Sequence, residues 1–205
     1  MVRRISLTFL FFFLIEPFVT AAQTPVVTDL AAADVSTHPW SSLAKVNNSV
    51  GGSCTATVIE QDKVLTAAHC IFGRRTGRFL PPSSLHVLLG YNRGSYKVHD
   101  LVGSYTIGHG YDPERKLATL SSDWAILRLV EPLPRAVQPI ELCEQTPSPR
   151  ALLATGSYAR GRRHVLTSDE DCQLLRELPG QALLENNCRG AEGSSGAPIL
   201  STQDK

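Results

Sequence analysis

Three side chains in this chain have the types needed to activate a hydroxyl as a nucleophile. Ser195 lies in Glu192-Gly193-Ser194-Ser195-Gly196-Ala197-Pro198, His69 ends Val64-Leu65-Thr66-Ala67-Ala68-His69-Cys70, and Asp123 opens Asp123-Trp124-Ala125-Ile126-Leu127. A serine hydroxyl is a weak nucleophile at neutral pH and needs a base whose pKa lies near the working pH. Histidine is the side chain with that unperturbed value. The imidazole must be held in one tautomer and its cationic form stabilised, and a buried carboxylate does both. The candidate roles are Ser195 as nucleophile, His69 as general base and then acid, and Asp123 as the orienting partner. Gly193 and Gly196 allow a sharp turn beside the serine. That turn aims the N–H groups of Gly193 and Ser195 at one point, where they can hold an oxyanion. Each residue alone has a plainer reading, as a structural histidine, a turn aspartate and a loop serine. The three together, separated by 54 residues (69 to 123) and 72 residues (123 to 195), carry the chemical one.

The elements that would position these groups are short. Strand-like runs occur at Leu43–Val46, Thr55–Glu60, Lys63–Ala68, Leu85–Leu89, Tyr96–Val102, Trp124–Leu129, Leu152–Gly156, Gln181–Leu184 and Ala197–Leu200. Turn signals such as Pro81-Pro82, Asn92-Arg93-Gly94 and Pro179-Gly180 separate them. Many short strands with Gly/Pro turns argue for an all-β barrel or sandwich. Only Asp169–Glu177 has the composition of a short helix.

Among Ser/His/Asp folds, the chain order His, Asp, Ser belongs to the chymotrypsin-type double barrel. From about Trp40 to Leu200 the chain resembles the trypsin-like serine peptidases. The motifs that carry the likeness are Leu65–Cys70 (LTAAHC), Asp123–Leu127 (DWAIL) and Gly193–Pro198 (GSSGAP). The last has the form found in bacterial-type members. The resemblance implies two antiparallel six-stranded β-barrels, with Glu131–Pro149 as the crossover between them. It implies a secreted serine endopeptidase that hydrolyses peptide bonds in protein or peptide substrates through an acyl-enzyme and requires no cofactor. It also implies disulfides Cys54–Cys70 and Cys172–Cys188; the first closes a hairpin, whose ends are close enough to bridge. Arg189 falls at the floor of the specificity pocket, where it would disfavour basic side chains.

Two departures from the family pattern stand out. Position 194 is serine, whereas animal-type members carry an acid that pairs with a newly cut N-terminus. Only ten residues follow Ser195 (205 minus 195), so the second barrel and the far pocket wall are expected to be incomplete here. The competing readings are a non-catalytic binding module built on the same fold, inactive because of that incompleteness, and an esterase using the same triad.

Composition bounds the rest. The chain has 205 residues, with 20 basic and 19 acidic side chains, and this near balance offers nothing to nucleic acid or a membrane surface. The clusters Arg74, Arg75, Arg78 and Arg160, Arg162, Arg163 read as solvated loop faces. Arg3-Arg4, the apolar run Ile5–Ile15 and the small residues Val19–Ala22 read as a secretory signal peptide over residues 1–22; the rival reading, an uncleaved anchor, is opposed by Glu16 and Pro17, which break the apolar helix. Residues 23–38 then form either a pro-segment or a flexible lead, and 39–205 form the peptidase-like domain. Export permits disulfides. Cys143 is the odd one of five cysteines, and is a free thiol, an intermolecular bridge or a residue whose partner lies elsewhere. No metal site is expected, since no Cys-x-x-Cys or paired histidine spacing occurs. Asn47-Asn48-Ser49 fits either a glycosylation acceptor or a turn.

Overall fold

The structure, a computed structural model, describes residues 29–201; the signal peptide expected over 1–22 lies outside them. Thirteen strands follow in chain order: β1 (Ala31–Ala32), β2 (Leu43–Asn48), β3 (Ser53–Glu60), β4 (Lys63–Thr66), β5 (Phe72–Gly73), β6 (Arg78–Phe79), β7 (Leu85–Leu89), β8 (Val98–Ile107), β9 (Ala125–Leu129), β10 (Leu152–Ser157), β11 (Thr167–Leu178), β12 (Leu183–Asn186) and β13 (Leu200–Ser201).

Six of them close a barrel in the order β2-β3-β4-β9-β8-β7, with every pair antiparallel. Closure leaves no unpaired edge in this half. Val46, Ala56, Val58, Val64, Val87 and Leu127 point inward and are at most 2% exposed. These positions recur every second residue because a strand alternates its faces. The other half is an open sheet in the order β1-β11-β10-β13, with β12 added to β11. The fold is thus one closed six-stranded barrel and a second, incomplete sheet.

A smaller apolar cluster joins the two. Leu43 and Leu88 come from barrel strands, Tyr158 and Leu166 from the ends of β10 and β11, and Trp40 and Tyr91 from the loops. The crossover 131–149 contains no strand. It is tied to the barrel by the Leu133 and Ile140 N–H groups, which donate to the Gln61 and Val58 carbonyls at 2.7 and 2.8 Å.

Several local expectations change. The segment Asp169–Glu177 is not a helix but lies inside β11. Its Asp, Glu, Gln, Leu and Arg favour helix only weakly, and pairing with β1, β10 and β12 overrides that preference. Of Ala197–Leu200 only Leu200 is in a strand, because the preceding residues complete the serine loop. The folded part also begins before Pro39: Ala31 and Ala32 pair with Ser168 and Thr167, and Leu30 is buried.

Candidate active site

The register of β4 against β9 brings His69 and Asp123 together. Thr66 pairs with Ala125, so the end of one strand lies beside the start of the other. His69 sits in the 3₁₀ turn Ala68–Ile71 just after β4, and Asp123 caps the 3₁₀ turn Leu120–Ser122 just before β9. The disulfide Cys54–Cys70 fastens the His69 turn to β3.

Asp123 accepts twice from His69: Oδ1 from the backbone N–H at 2.9 Å, and Oδ2 from the ring Nδ1 at 2.6 Å. An ionised carboxylate only accepts, which assigns the ring proton to Nδ1 and leaves Nε2 as the acceptor. His69 Nε2 lies 2.8 Å from Ser195 Oγ, so the serine hydroxyl donates to it. Burial pushes the Asp123 carboxyl up, but the ring and backbone bonds from His69, and its charge, outweigh burial and hold it below the ordinary 3.8. Tyr111 stands behind the aspartate. Burial, and then the Asp123 charge, push its phenol up to about 12. Its buried hydroxyl has no hydrogen-bond partner of normal geometry among the described residues.

The serine loop belongs to the second sheet but is bolted to the barrel through Thr55 on β3. The Thr55 N–H donates to the Ser195 carbonyl and its Oγ1 to the Gly193 carbonyl, both at 2.9 Å. The same Oγ1 accepts from the Tyr158 N–H at 3.0 Å. Gly193 has φ +98°, and a Cβ there would lie 2.6 Å from the Tyr158 carbonyl oxygen. At Gly196, φ is +81° and a Cβ would lie 2.1 Å from the Thr55 carbonyl oxygen. Both glycines are therefore required by close approach as well as by backbone angle. The Glu192 carbonyl accepts from the Arg160 N–H, which fixes the peptide leading into Gly193.

Ser194 faces inward. Its Oγ accepts from the Ala191 N–H at 3.1 Å and pairs with Ser157 Oγ at 2.9 Å. A pair of hydroxyls thus ties the serine loop to the end of β10. Thr55, Ser157 and Tyr111 had no sequence signal; a threonine or serine in a strand and a tyrosine in a loop are unremarked residue types.

Arg189 stands apart from the triad's clefts. Its guanidinium is bidentate to Asp169, with Nε at 3.2 Å from Oδ2 and Nη2 at 3.0 Å from Oδ1, and its N–H donates to Oδ2 at 2.7 Å. The disulfide Cys172–Cys188 fixes the adjoining residue against β11. Burial pushes the Asp169 carboxyl up, and the Arg189 bonds more than reverse it. Cys143 is an exposed thiol that donates to the Gln145 carbonyl. Cys54, His69 and Cys70 present ligand atoms within 4.8 Å of one another, but both sulfurs are consumed in the disulfide and offer no thiolate to a metal.

Two hollows flank the site. A cleft of about 300 Å³ is lined by His69, Ser195, Gly193 and the Cys54–Cys70 disulfide. A larger one, about 920 Å³, reaches Asp123 and Gly196 but neither His69 nor Ser195. Among the described residues no helix is long and apolar enough to cross a membrane.

A trypsin from Sarcophaga bullata is 25% identical over 173 residues, which make up 82% of this chain and 62% of that protein. The chain thus spans less than two thirds of that relative's length. A solved structure of a Glu endopeptidase in complex with MPD superposes with a TM-score of 0.68 at 18% identity, over 84% of this chain and 79% of the other. At that identity the likeness is one of fold. The trypsin family model matches residues 29–201, and with it this chain belongs to the trypsin family.

Proposed function

We propose that this chain is a secreted serine endopeptidase that cleaves protein or peptide substrates through an acyl-enzyme. The observation that carries the reading is the unbroken chain Asp123–His69–Ser195, with contacts of 2.6 and 2.8 Å in one tautomer. Ser195 Oγ attacks the scissile carbonyl as its proton passes to His69 Nε2; the Oγ–C bond forms and the carbonyl electrons move to oxygen. The Gly193 and Ser195 N–H groups receive that oxyanion. The C–N bond then breaks, and the departing amine takes the proton from Nε2. Water repeats the sequence on the acyl-enzyme, with His69 as base and then acid, and releases the acid product and free Ser195. Asp123 stays ionised and stabilises the imidazolium. Its depressed pKa favours that state through the working range.

Secretion is supported by the Arg3-Arg4 and Ile5–Ile15 pattern and by two disulfides, which persist in oxidising compartments. A bacterial-type, acid-free activation is supported by the Ser157–Ser194 pair, which needs no new N-terminus. Arg189 is proposed to shape the specificity region through Asp169 rather than as a free charge at its floor.

The test is a fluorophosphonate probe with casein turnover on the secreted full-length protein. The native protein is expected to be labelled on Ser195 and to digest casein. Ser195→Ala is expected to lose labelling entirely, and Ser195→Ala and His69→Ala to lose several orders of magnitude of turnover. A folded native protein that takes no label, or a Ser195→Ala variant with native turnover, would overturn the reading.

A further inference from the structure

The cleft beside Ser195 carries charge that the triad does not use. Besides His69, its charged lining residues are Arg74, Arg75 and Glu192. Glu192 is already ion-paired with Arg160. Arg74 and Arg75 form no ion pair among the described residues, and both are exposed. The cleft therefore faces solvent with two uncompensated positive charges.

These arginines are not on a wandering loop. β5 and β6 form a small hairpin, in which Phe72 pairs with Phe79 and Gly73 with Arg78. The turn between the strands is closed by the Thr76 and Gly77 N–H groups, which donate to the Gly73 carbonyl at 3.0 and 2.9 Å, and by Thr76 Oγ1 on the same oxygen at 3.0 Å. The rings of Phe72 and Phe79 meet edge to face at 5.3 Å beneath it. A held turn presents charge at lower entropic cost than a mobile one. Arg74 is also near enough to the site for its charge to act on Tyr111, against the upward push of burial and Asp123.

The position of the cleft decides what it would meet. The departing amine must take its proton from His69 Nε2, so the leaving half of the substrate passes His69. Cys70 follows His69 directly, and its disulfide forms a wall of this cleft. The first residues after the scissile bond thus cross Arg74 and Arg75. We propose that Arg74 and Arg75 select substrates with an acidic side chain, Asp or Glu, within the first residues on the leaving side of the scissile bond. The proposal rests on the peptidase reading of the same site.

The experiment uses the full-length protein and quenched fluorescent peptides that share one acyl half and carry Glu, Gln or Lys at the first and second positions after the scissile bond. Exposed pairs of opposite charge are weak singly, so two arginines are expected to favour Glu over Gln by about fivefold to tenfold in kcat/KM, with Lys below Gln. The Glu/Gln ratio is expected to shrink as salt rises from about 0.05 to about 0.5 M, because exposed charges are screened. Arg74→Gln/Arg75→Gln is expected to bring the ratio to within about twofold of one. Any general effect of the double change on turnover cancels in that ratio. Arg74→Lys/Arg75→Lys keeps both charges and is expected to keep the preference, which guards against a folding defect in the first variant. A native protein that is labelled by fluorophosphonate but cleaves the Glu and Gln peptides equally would overturn the preference alone. So would a ratio unchanged in the Gln double variant. Absence of both labelling and cleavage would overturn the peptidase reading, and the preference with it.

Discussion

Ser194 anchors the serine loop through its hydroxyl, and Ser194→Ala measures what that hydroxyl contributes. The change removes two contacts: the acceptor of the Ala191 N–H at 3.1 Å and the partner of Ser157 Oγ at 2.9 Å. Each such bond contributes about 1 kcal/mol net, and a buried hydroxyl left without a partner costs about 1–3 kcal/mol. Ser157 is 2% exposed, so water cannot readily take over its hydroxyl. The expected loss is about 2–3 kcal/mol in denaturant unfolding, read as a lower midpoint at constant slope. Ser157→Ala/Ser194→Ala removes both hydroxyls and strands neither, so it is expected to be less destabilised than the sum of the single variants. Kinetically the loop between Ala191 and Ser195 loosens, and Gly193 N–H loses its aim. Removing an oxyanion donor outright costs about 10²–10³ in kcat, so a displaced donor is expected to cost less, about tenfold to a hundredfold. If Ser194→Ala matched the native protein in both midpoint and kcat, or if the two serine variants were strictly additive, the paired hydroxyls would not be what holds the loop.

Three further outcomes are expected. Cys54→Ser/Cys70→Ser opens a loop with a sequence separation of 16 residues. It should lower unfolding free energy by about 3 kcal/mol, measured in urea against the native protein under non-reducing conditions. Asp169 has a folded pKa below its ordinary 3.8, so its contribution to stability is present above the unfolded pKa and is lost as pH falls through the folded value. The midpoint gap between the native protein and Asp169→Asn should therefore be full near pH 6, and close as pH drops below about 4. Gly193→Ala places a Cβ 2.6 Å from the Tyr158 carbonyl oxygen at φ +98°. It should cost about 1–3 kcal/mol in stability, and should lower kcat by more than Ser194→Ala does, as followed by denaturation and peptide turnover.

What could be read from the sequence was what is local. Leu85–Leu89 is recovered residue for residue as β7, and the runs at Leu43, Thr55, Lys63 and Trp124 each fall on a barrel strand with ends moved by one or two residues. They are short runs bounded by Gly/Pro turn signals, which a linear reading detects. The triad was legible because each member carries its own flanking motif. Contacts between residues of ordinary type far apart in the chain were not legible. Thr55 reaches Gly193 across 138 residues, and Ser157 reaches Ser194 across 37. The Asp169 partner of Arg189 was not legible, because Asp169 lies 20 residues earlier, buried in a strand that itself reads as helix. Arg74 and Arg75 looked like ordinary solvated charges because their meaning depends on which cleft the β5–β6 hairpin borders.

These long-range contacts also explain how the site is divided. His69 and Asp123 belong to the closed barrel, where the β4–β9 register and the Cys54–Cys70 disulfide hold them as one unit. Ser195 belongs to the segment that leads into β13 of the open sheet. The His69–Ser195 hydrogen bond of 2.8 Å has to span that seam, and a displacement of about 1 Å would take it outside hydrogen-bonding range. Thr55 lies on the barrel side and binds both Gly193 and Ser195 as well as Tyr158. It is fully buried, and its carbonyl accepts from Thr66 Oγ1 at 2.7 Å on the strand that leads to His69. The nucleophile's backbone and the base's strand are thus referenced to the same residue. The alignment of Ser195 with His69 depends on the outer face of β3, where Thr55 meets the serine loop, more than on the flexible-looking glycine loop that displays the serine.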